Sequence, residues 1–387
     1  MTPLRVLLVD PSLFTAPYDA ALTEGLLQVG VEPTWAVRPT RGVDRSELPE
    51  RCVDAFFYRW VDEQRLLRGK LRQLAKGAAH AWGLARLVAR VAWRRPHVVH
   101  FQWTIVPLLD CLALLLIRPL SRVVLTVHDT VPFNGERLSL LQNWGAELPI
   151  RLSHRVIVHT QAGYARLVAR GTPPHKLAVI PHGPLSLKAR ASAVQPPRDG
   201  RYCFVLFGEL KPYKGIDVLL EALALLPAEL RAQARCVIAG RARMDLAPIS
   251  AQIERLGLRD VVELRPQRLT EQEMADLFAG ADCFVFPYRQ IDASGVYFLV
   301  KGLGKWLIAS DVGVFAEEMT RASGELVPSA DRASLAAALS RALCERPRAQ
   351  PQQGDAAWVT IARQTRELYE ANGSLAPSPS ASAAEAP

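Results

Sequence analysis

Short apolar runs recur along this chain, each long enough for one buried strand, with stretches of helical period between them. In the first half they are RVLLVD (5–10), TWAVR (34–38), DAFFYR (54–59), HVVHFQW (97–103), RVVLTVHD (122–129), RVIVHT (155–160) and LAVIPH (177–182). In the second half they are CFVLFG (203–208), RCVIAG (235–240), VVELRP (261–266), CFVFPY (283–288) and WLIAS (306–310). A strand that is apolar on both faces needs cover on both, which is the condition of a parallel strand inside βαβ units. Helical patterns over 19–29, 161–170 and 356–371, and after 214, 248, 271, 295 and 331, supply that cover. Two such series in 387 residues predict an α/β protein of two Rossmann-like, doubly wound domains facing across a cleft.

The boundaries follow from where both periods fail. Residues 1–185 form the expected first domain. The stretch PLSLKARASAVQPPRDG has neither period, so 186–200 reads as a linker. Residues 201–350 form the second domain and 351–371 a C-terminal helix. The run NGSLAPSPSASAAEAP, 372–387, reads as a disordered tail. Open parallel sheets collect ligands at the carboxyl ends of their strands. The expected site is therefore the cleft, and the residues that follow each strand are its candidates.

Charge and cysteine usage narrow the setting. Lysine and arginine exceed the acids 47 to 38, which favours an anionic partner without saying which. Six cysteines lie far apart with no C-x-x-C pair, mostly inside apolar runs, and are expected as reduced core residues of a cytoplasmic protein. The N-terminus lacks the apolar run of a secretory signal. The most apolar segment, IVPLLDCLALLLI, carries Asp110 and falls short of the roughly 20 residues a membrane span needs. It is expected as a buried or surface-seated helix. Residues 65–95 hold nine basic residues and no acid, with leucines and tryptophans at helical spacing. That pattern suits peripheral attachment to an anionic membrane face, or a helix pair packed on the sheet with a solvated basic side. No recognition motif accompanies the charge, so nucleic acid is not an expected partner.

Two junctions in the second half carry the chemistry. In FGELKPYKGID, a strand stops at Gly208, and Lys211 and Lys214 follow just ahead of an apolar helix. Ammonium groups and a helix N-terminus together suit a diphosphate, although a solvated loop would look the same in isolation. In PYRQIDASGVYFLVKGLGKWLIASDVG, Asp292 precedes Ser294, a good N-cap, and Gly295 and Val296 open the helix with free backbone amides. In the first half, His128 and Asp129 end a strand and so face the expected cleft. The pattern suggests neither a metal cluster nor a bound cofactor.

Together these stretches resemble the retaining GT-B glycosyltransferases of family 4. The likeness rests on Gly208, Lys214, Gly215 and Asp217, then on Gly304, Lys305, Ile308, Ala309, Asp311, Val312 and Gly313. It extends through PHVVHFQW, VVLTVHD, HRVIVHTQAGYARL and KLAVIPHG in the first half. The resemblance implies metal-independent hexosyl transfer from a nucleotide-diphosphate sugar to a saccharide or lipid-linked saccharide, as in polysaccharide or glycoconjugate synthesis. It implies that His128 and Asp292 position the donor sugar. Gly208, Lys211, Lys214, Ser294, Gly295 and Val296 would then hold the donor's diphosphate. Other histidines are expected in lesser roles: His100 structural or acceptor-side, His159 and His182 at strand ends, His80 and His97 at the surface or in packing. The chain departs from the pattern at Glu209, where many relatives have arginine, and at Ile291 and Leu299, where most have a glutamate pair. Trp306 and Val314 depart as well. Those departures keep a non-catalytic interaction partner open as an alternative, and a nucleotide-sugar epimerase would share the same site.

Overall fold

The computed structural model describes residues 3–40, 47–63, 69–130, 145, 147–192, 199–349 and 355–371. The chain divides into two α/β units. The first takes the residues up to Thr130, those that lead on to Pro181, and those from Trp358 onward. Its strands are β1 (Leu4–Asp10), β2 (Val31–Val37), β3 (Val53–Ala55), β4 (Val98–Phe101), β5 (Arg122–Val127), β6 (Arg155–Val158) and β7 (Leu177–Val179). They pair in parallel in the order β3-β2-β1-β4-β5-β6-β7. The principal helices are α1 (Ala16–Gln28), α2 (Gly69–Arg94), α3 (Pro107–Ile117) and α4 (Gln161–Ala169). Leu84, Leu87 and Val91 of α2 meet Ala113, Leu114 and Ile117 of α3 in one core beneath the sheet.

Two expectations change in this unit. DAFFYR is a strand only at its start. Phe56 and Phe57 both donate their N–H to the carbonyl of Val37, at 2.9 and 3.0 Å, and the chain turns there. The two rings fill the core from a turn, stacked 4.8 Å apart. A short apolar run does not by itself say whether it is extended. Within the basic stretch, residues 69–94 form one helix of 26 residues, not a pair. Two of its arginines are half-buried: Arg90 grips Asp54 at 2.6 and 2.9 Å, and Arg86 and Arg90 lie over Phe56, while Arg94 is exposed.

The second unit runs through His182–Ala357. It contains β8 (Tyr202–Phe207), β9 (Ala234–Ala239), β10 (Val262–Arg265), β11 (Cys283–Phe286), β12 (Trp306–Ser310) and β13 (Gly324–Val327). Its parallel order, β10-β9-β8-β11-β12-β13, repeats the winding of the first sheet. The principal helices are α5 (Ile216–Ala224), α6 (Ala247–Arg255), α7 (Glu271–Gly280), α8 (Gly295–Val300), α9 (Gly313–Glu318) and α10 (Arg332–Glu345). Phe204, Leu206, Cys236 and Val285 point to one face of this sheet; Val205, Val237, Phe284 and Phe286 point to the other. That alternation is the period-2 consequence of strand geometry. The edge strand β13 was not expected, because GELV is short, starts with glycine and carries one charge.

The last helix is α11 (Asp355–Glu370), and from Trp358 onward it belongs to the first unit. Trp358 packs edge-on against Tyr18, and Arg122 donates to the carbonyl of Tyr369 at 2.8 Å. The described part of the expected linker lies along the second unit. Leu185 N–H donates to Phe298 and Ser192 N–H to Asp276, at 2.8 and 2.6 Å. Residues 193–198 and the expected tail 372–387 lie outside the described residues. Cys52, Cys111, Cys236 and Cys283 are buried, Cys203 is half-buried and Cys344 is exposed. Among the described residues no helix is long and apolar enough to cross a membrane.

Candidate functional site

In each sheet the strand order reverses beside the first strand, and such a point is where open parallel sheets hold ligands. In the second unit that point lies between β8 and β11. Gly208, the first residue past β8, has φ 113°. A Cβ there would stand 2.7 Å from Lys214 Nζ and 2.9 Å from Val296 Cγ2, so only glycine leaves room for both. Lys214 is folded back under the strand end and is 3% exposed. Its ammonium donates to the Phe207 carbonyl at 3.1 Å and to Tyr288 Oη at 2.7 Å. Burial pulls its pKa down to about 8. Burial pushes the Tyr288 phenol up, and the Ser294 side chain nearby acts against that rise. Ser294 caps α8 by accepting from Tyr297 N–H at 3.4 Å. Gly208, Lys214, Ser294 and Val296 therefore gather around Tyr288, with Gly295 next to the cap.

The expectation of two lysines at one mouth is corrected. Lys211 stays apart: its ammonium is 3.3 Å from Glu209, which also accepts from Arg243 at 2.9 Å. Burial opposes ionisation of Glu209, but Arg243 and Lys211 outweigh it and hold the carboxyl below its usual range. Lys211 lines a separate cavity of about 390 Å³ with Asp217 and Arg289, themselves a bidentate pair. Asp292 is buried two residues before the cap, and its carbonyl accepts from Val314 N–H at 2.9 Å. Ile291 is buried and Leu299 packs on the same core, so the usual glutamate positions hold apolar side chains here. Lys305 donates to the carbonyls of Ala279 and Ala281, at 3.1 and 2.6 Å, and so steadies the C-terminal end of α7.

In the first unit the reversal lies between β1 and β4. Gln102 and Trp103 follow β4, His128 follows β5, and His159 follows β6. The His128 ring stacks on Trp103, with centroids 4.9 Å apart. Its Nε2 is 3.0 Å from Gln102 Oε1, and its Nδ1 is 3.2 Å from His159 Nε2. His159 Nδ1 donates to the Ile180 carbonyl at 2.9 Å. Asp10 and Asp19 are fully buried beside this group, and burial pushes both carboxyls up, Asp19 further because Asp10 is near. Trp103 Nε1 donates to Thr15 Oγ1 at 3.1 Å, tying the β1–α1 loop to the same edge.

The remaining histidines sort by burial. His100 is fully buried between Tyr369 and Thr126, and burial lowers its pKa to about 3, so it is a neutral structural group. His97 accepts from Arg5 N–H. His182 stacks on Phe298 at 3.9 Å within the second unit. His80 is not a surface residue: it is 1% exposed, between Tyr58 and Asp110. The lone Asp110 in an apolar segment was the available signal, since a buried carboxylate needs a partner. Nothing in the sequence singled out Tyr288 or Gln102.

Residues 20–183 match the family model Glycosyltransferase Family 4, and residues 188–357 match Glycosyl transferases group 1. Together they span most of the chain, which belongs to the glycosyltransferases that these models describe. Its fold is that of solved members. HepE from Anabaena, solved with UDP and glucose, is 17% identical with a TM-score of 0.64, covering 95% of each chain. Sucrose-phosphate synthase from Thermosynechococcus elongatus is 20% identical with a TM-score of 0.64, covering 95% of this chain and 94% of that one. The catalytic domain of starch synthase IV from Arabidopsis thaliana, bound to ADP and acarbose, is 14% identical with a TM-score of 0.65, covering 95% and 99%. No curated protein matches the sequence.

Proposed function

We propose that this glycosyltransferase moves a hexosyl group from a nucleotide-diphosphate sugar to a saccharide or lipid-linked saccharide, with retention of configuration. The observation that carries this reading is the Lys214 ammonium, buried at the reversal point of the second sheet beside the start of α8. As the glycosidic bond breaks, negative charge grows on the departing diphosphate. A fixed ammonium and the amides of Ser294, Gly295 and Val296 stabilise that charge without reorganising and without a metal ion. Gly208 keeps the backbone low enough for the phosphates. His128 and Asp292 are assigned to position the donor sugar, and the first unit to hold the acceptor. HepE was solved with UDP and starch synthase IV with ADP, which makes these the first nucleotides to try.

The test is a thermal-shift screen of the purified protein with UDP, ADP, GDP and dTDP. A ligand that binds only the folded state raises its melting temperature, by about 2.7 kcal/mol of added stability at a hundredfold excess over Kd. One nucleotide should shift the protein, and the matching sugar donor should be consumed when saccharide acceptors are supplied. If none shifts it, the apolar Ile291 and Leu299 have removed the donor site, and the interaction-partner reading takes over.

The setting we propose is the cytoplasmic face of an anionic membrane. Leu71 and Leu74, on the first turns of α2, are 61% and 72% exposed among Lys70 and Arg72. Leu108, Leu112, Leu115 and Leu116 form an exposed row on α3. Exposed apolar side chains beside basic ones suit a headgroup boundary. Liposome flotation should carry the protein with anionic vesicles, and Leu112→Glu with Leu116→Glu should reduce this severalfold. Equal flotation with neutral vesicles would remove the electrostatic part of the reading.

A further inference from the structure

The loops that leave β1 and β4 flank the reversal point of the first sheet, and each carries a large ring. Phe14 follows β1 by four residues, and Trp103 follows β4 by two. Their centroids are 5.5 Å apart with the planes at 73°, an edge-on contact. Such a contact uses at most one face of the Phe14 ring, and Phe14 is 60% exposed. The other face is open to solvent.

An apolar ring on a free loop lowers its energy by turning inward. This one is held out. Leu13, just before it, has φ 51°, a left-handed conformation that a bulky residue adopts only where its surroundings impose it. The constraint comes from Asp10, which is fully buried. Its two carboxylate oxygens accept the N–H groups of Ser12 and Thr15, at 3.2 and 3.3 Å. Its carbonyl accepts from Leu13 N–H at 3.2 Å. Thr15 is fixed a second time through its hydroxyl, which accepts from Trp103 Nε1 at 3.1 Å and donates to Asp19 at 3.3 Å. Trp103 in turn stacks on His128. The backbone is thus pinned on both sides of Phe14, and its ring stands at the carboxyl edge of the sheet. A ring ordered before any ligand arrives has little freedom left to lose on binding.

We propose that Phe14 is the platform for the acceptor sugar, with the C–H face of a pyranose on its ring and Thr15 and Trp103 as the residues that position it. This rests on the reading of the first unit as the acceptor domain. A pyranose suits an apolar face at a polar edge, because its C–H groups gather on the sides of the ring and its hydroxyls point out from the rim. Trp103 lies between Phe14 and His128, so a sugar on the platform is one ring away from the residue assigned to the donor sugar.

The experiment is saturation-transfer NMR on the full chain, with methyl β-glucoside, methyl β-galactoside and methyl α-mannoside as probes. In the wild type at least one probe should receive saturation most strongly at the C–H groups of one ring face. Phe14→Tyr keeps the aromatic ring and should keep this pattern. Phe14→Ala and Phe14→Leu should each lose it and bind that probe about tenfold more weakly or worse. Because Phe14 is exposed, both should fold, which circular dichroism would confirm. Thr15→Val should weaken the probe severalfold by releasing Trp103, and Thr15→Ser should restore it. Wild-type binding by Phe14→Leu would mean a general apolar contact, such as one for a lipid chain, and overturns the proposal. A pattern unchanged in Phe14→Ala, or no transfer to any of the three probes, also overturns it. Nucleotide binding without transfer to a probe would sink this inference alone. Transfer that depends on Phe14, in a protein that binds no nucleotide, would sink the donor reading alone.

Discussion

Lys214→Ala is expected to abolish binding of the nucleotide that shifts the wild type and to lower transfer about a hundredfold or more. The ammonium is held by two neutral oxygens, those of Phe207 and Tyr288, so its charge is left for an anion. The wild-type lysine also sets a pH dependence whose sign can be worked out. Its pKa is about 8 in the free protein against 10.5 for an ordinary lysine. Between those values the unfolded chain holds more protons than the folded one, so this group makes the ligand-free fold more stable as pH rises. A bound diphosphate favours the protonated lysine, so binding has the opposite trend. Affinity should be level below about pH 8 and then fall by up to tenfold per pH unit. Calorimetric titrations from about pH 7 to about 9.5 would show it. A flat profile, or tight binding by Lys214→Ala, places the diphosphate elsewhere.

The second large effect is expected from Gly215→Ala. Gly215 adopts φ 65°, ψ 34°, the left-handed region, between Lys214 and α5. An added Cβ would lie 1.9 Å from the carbonyl oxygen of Pro287, which is backbone and can only yield by moving the strand end. The left-handed conformation alone costs about 1–2 kcal/mol, and the collision brings the total to about 3 kcal/mol or more. Melting should fall by roughly 10 °C. Nucleotide binding should fall with it, because Lys214 and Tyr288 flank the two colliding segments. Gly257→Ala is the control: φ is 62°, but no atom lies within 4 Å of its Cβ, so only about 1–2 kcal/mol should be lost. Equal losses at the two glycines would mean that the close approach to Pro287 does not constrain the site.

The parallel strands were legible because they depend on local pattern. Runs such as RVLLVD and CFVLFG can be buried on both faces only as central strands, and β1 and β8 lie at the middle of their sheets. The Ser294 cap was legible for the same reason: its side chain accepts from the backbone three residues on. Polar side chains at short spacing act before any tertiary contact forms. DAFFYR and GELV failed the same test in opposite directions. One has the apolar content of a strand in a turn, and the other takes its place in the sheet by pairing with β12 despite weak composition.

Lys211 and Lys214 look alike on the page, three residues apart in one loop. Their difference was decided by the partner that each one meets. Tyr288, 74 residues away, draws Lys214 under the strand end, while Glu209, with Arg243, holds Lys211 on another side. His80 likewise depends on Asp110, 30 residues on, and His100 on Tyr369, 269 residues on. The sequence by itself determined the winding of two sheets, because strand and helix periods are properties of neighbouring residues. Only the tertiary structure decided which ammonium is buried and which histidine is neutral. Those properties belong to the partner that each group meets, and long-range packing chooses the partner.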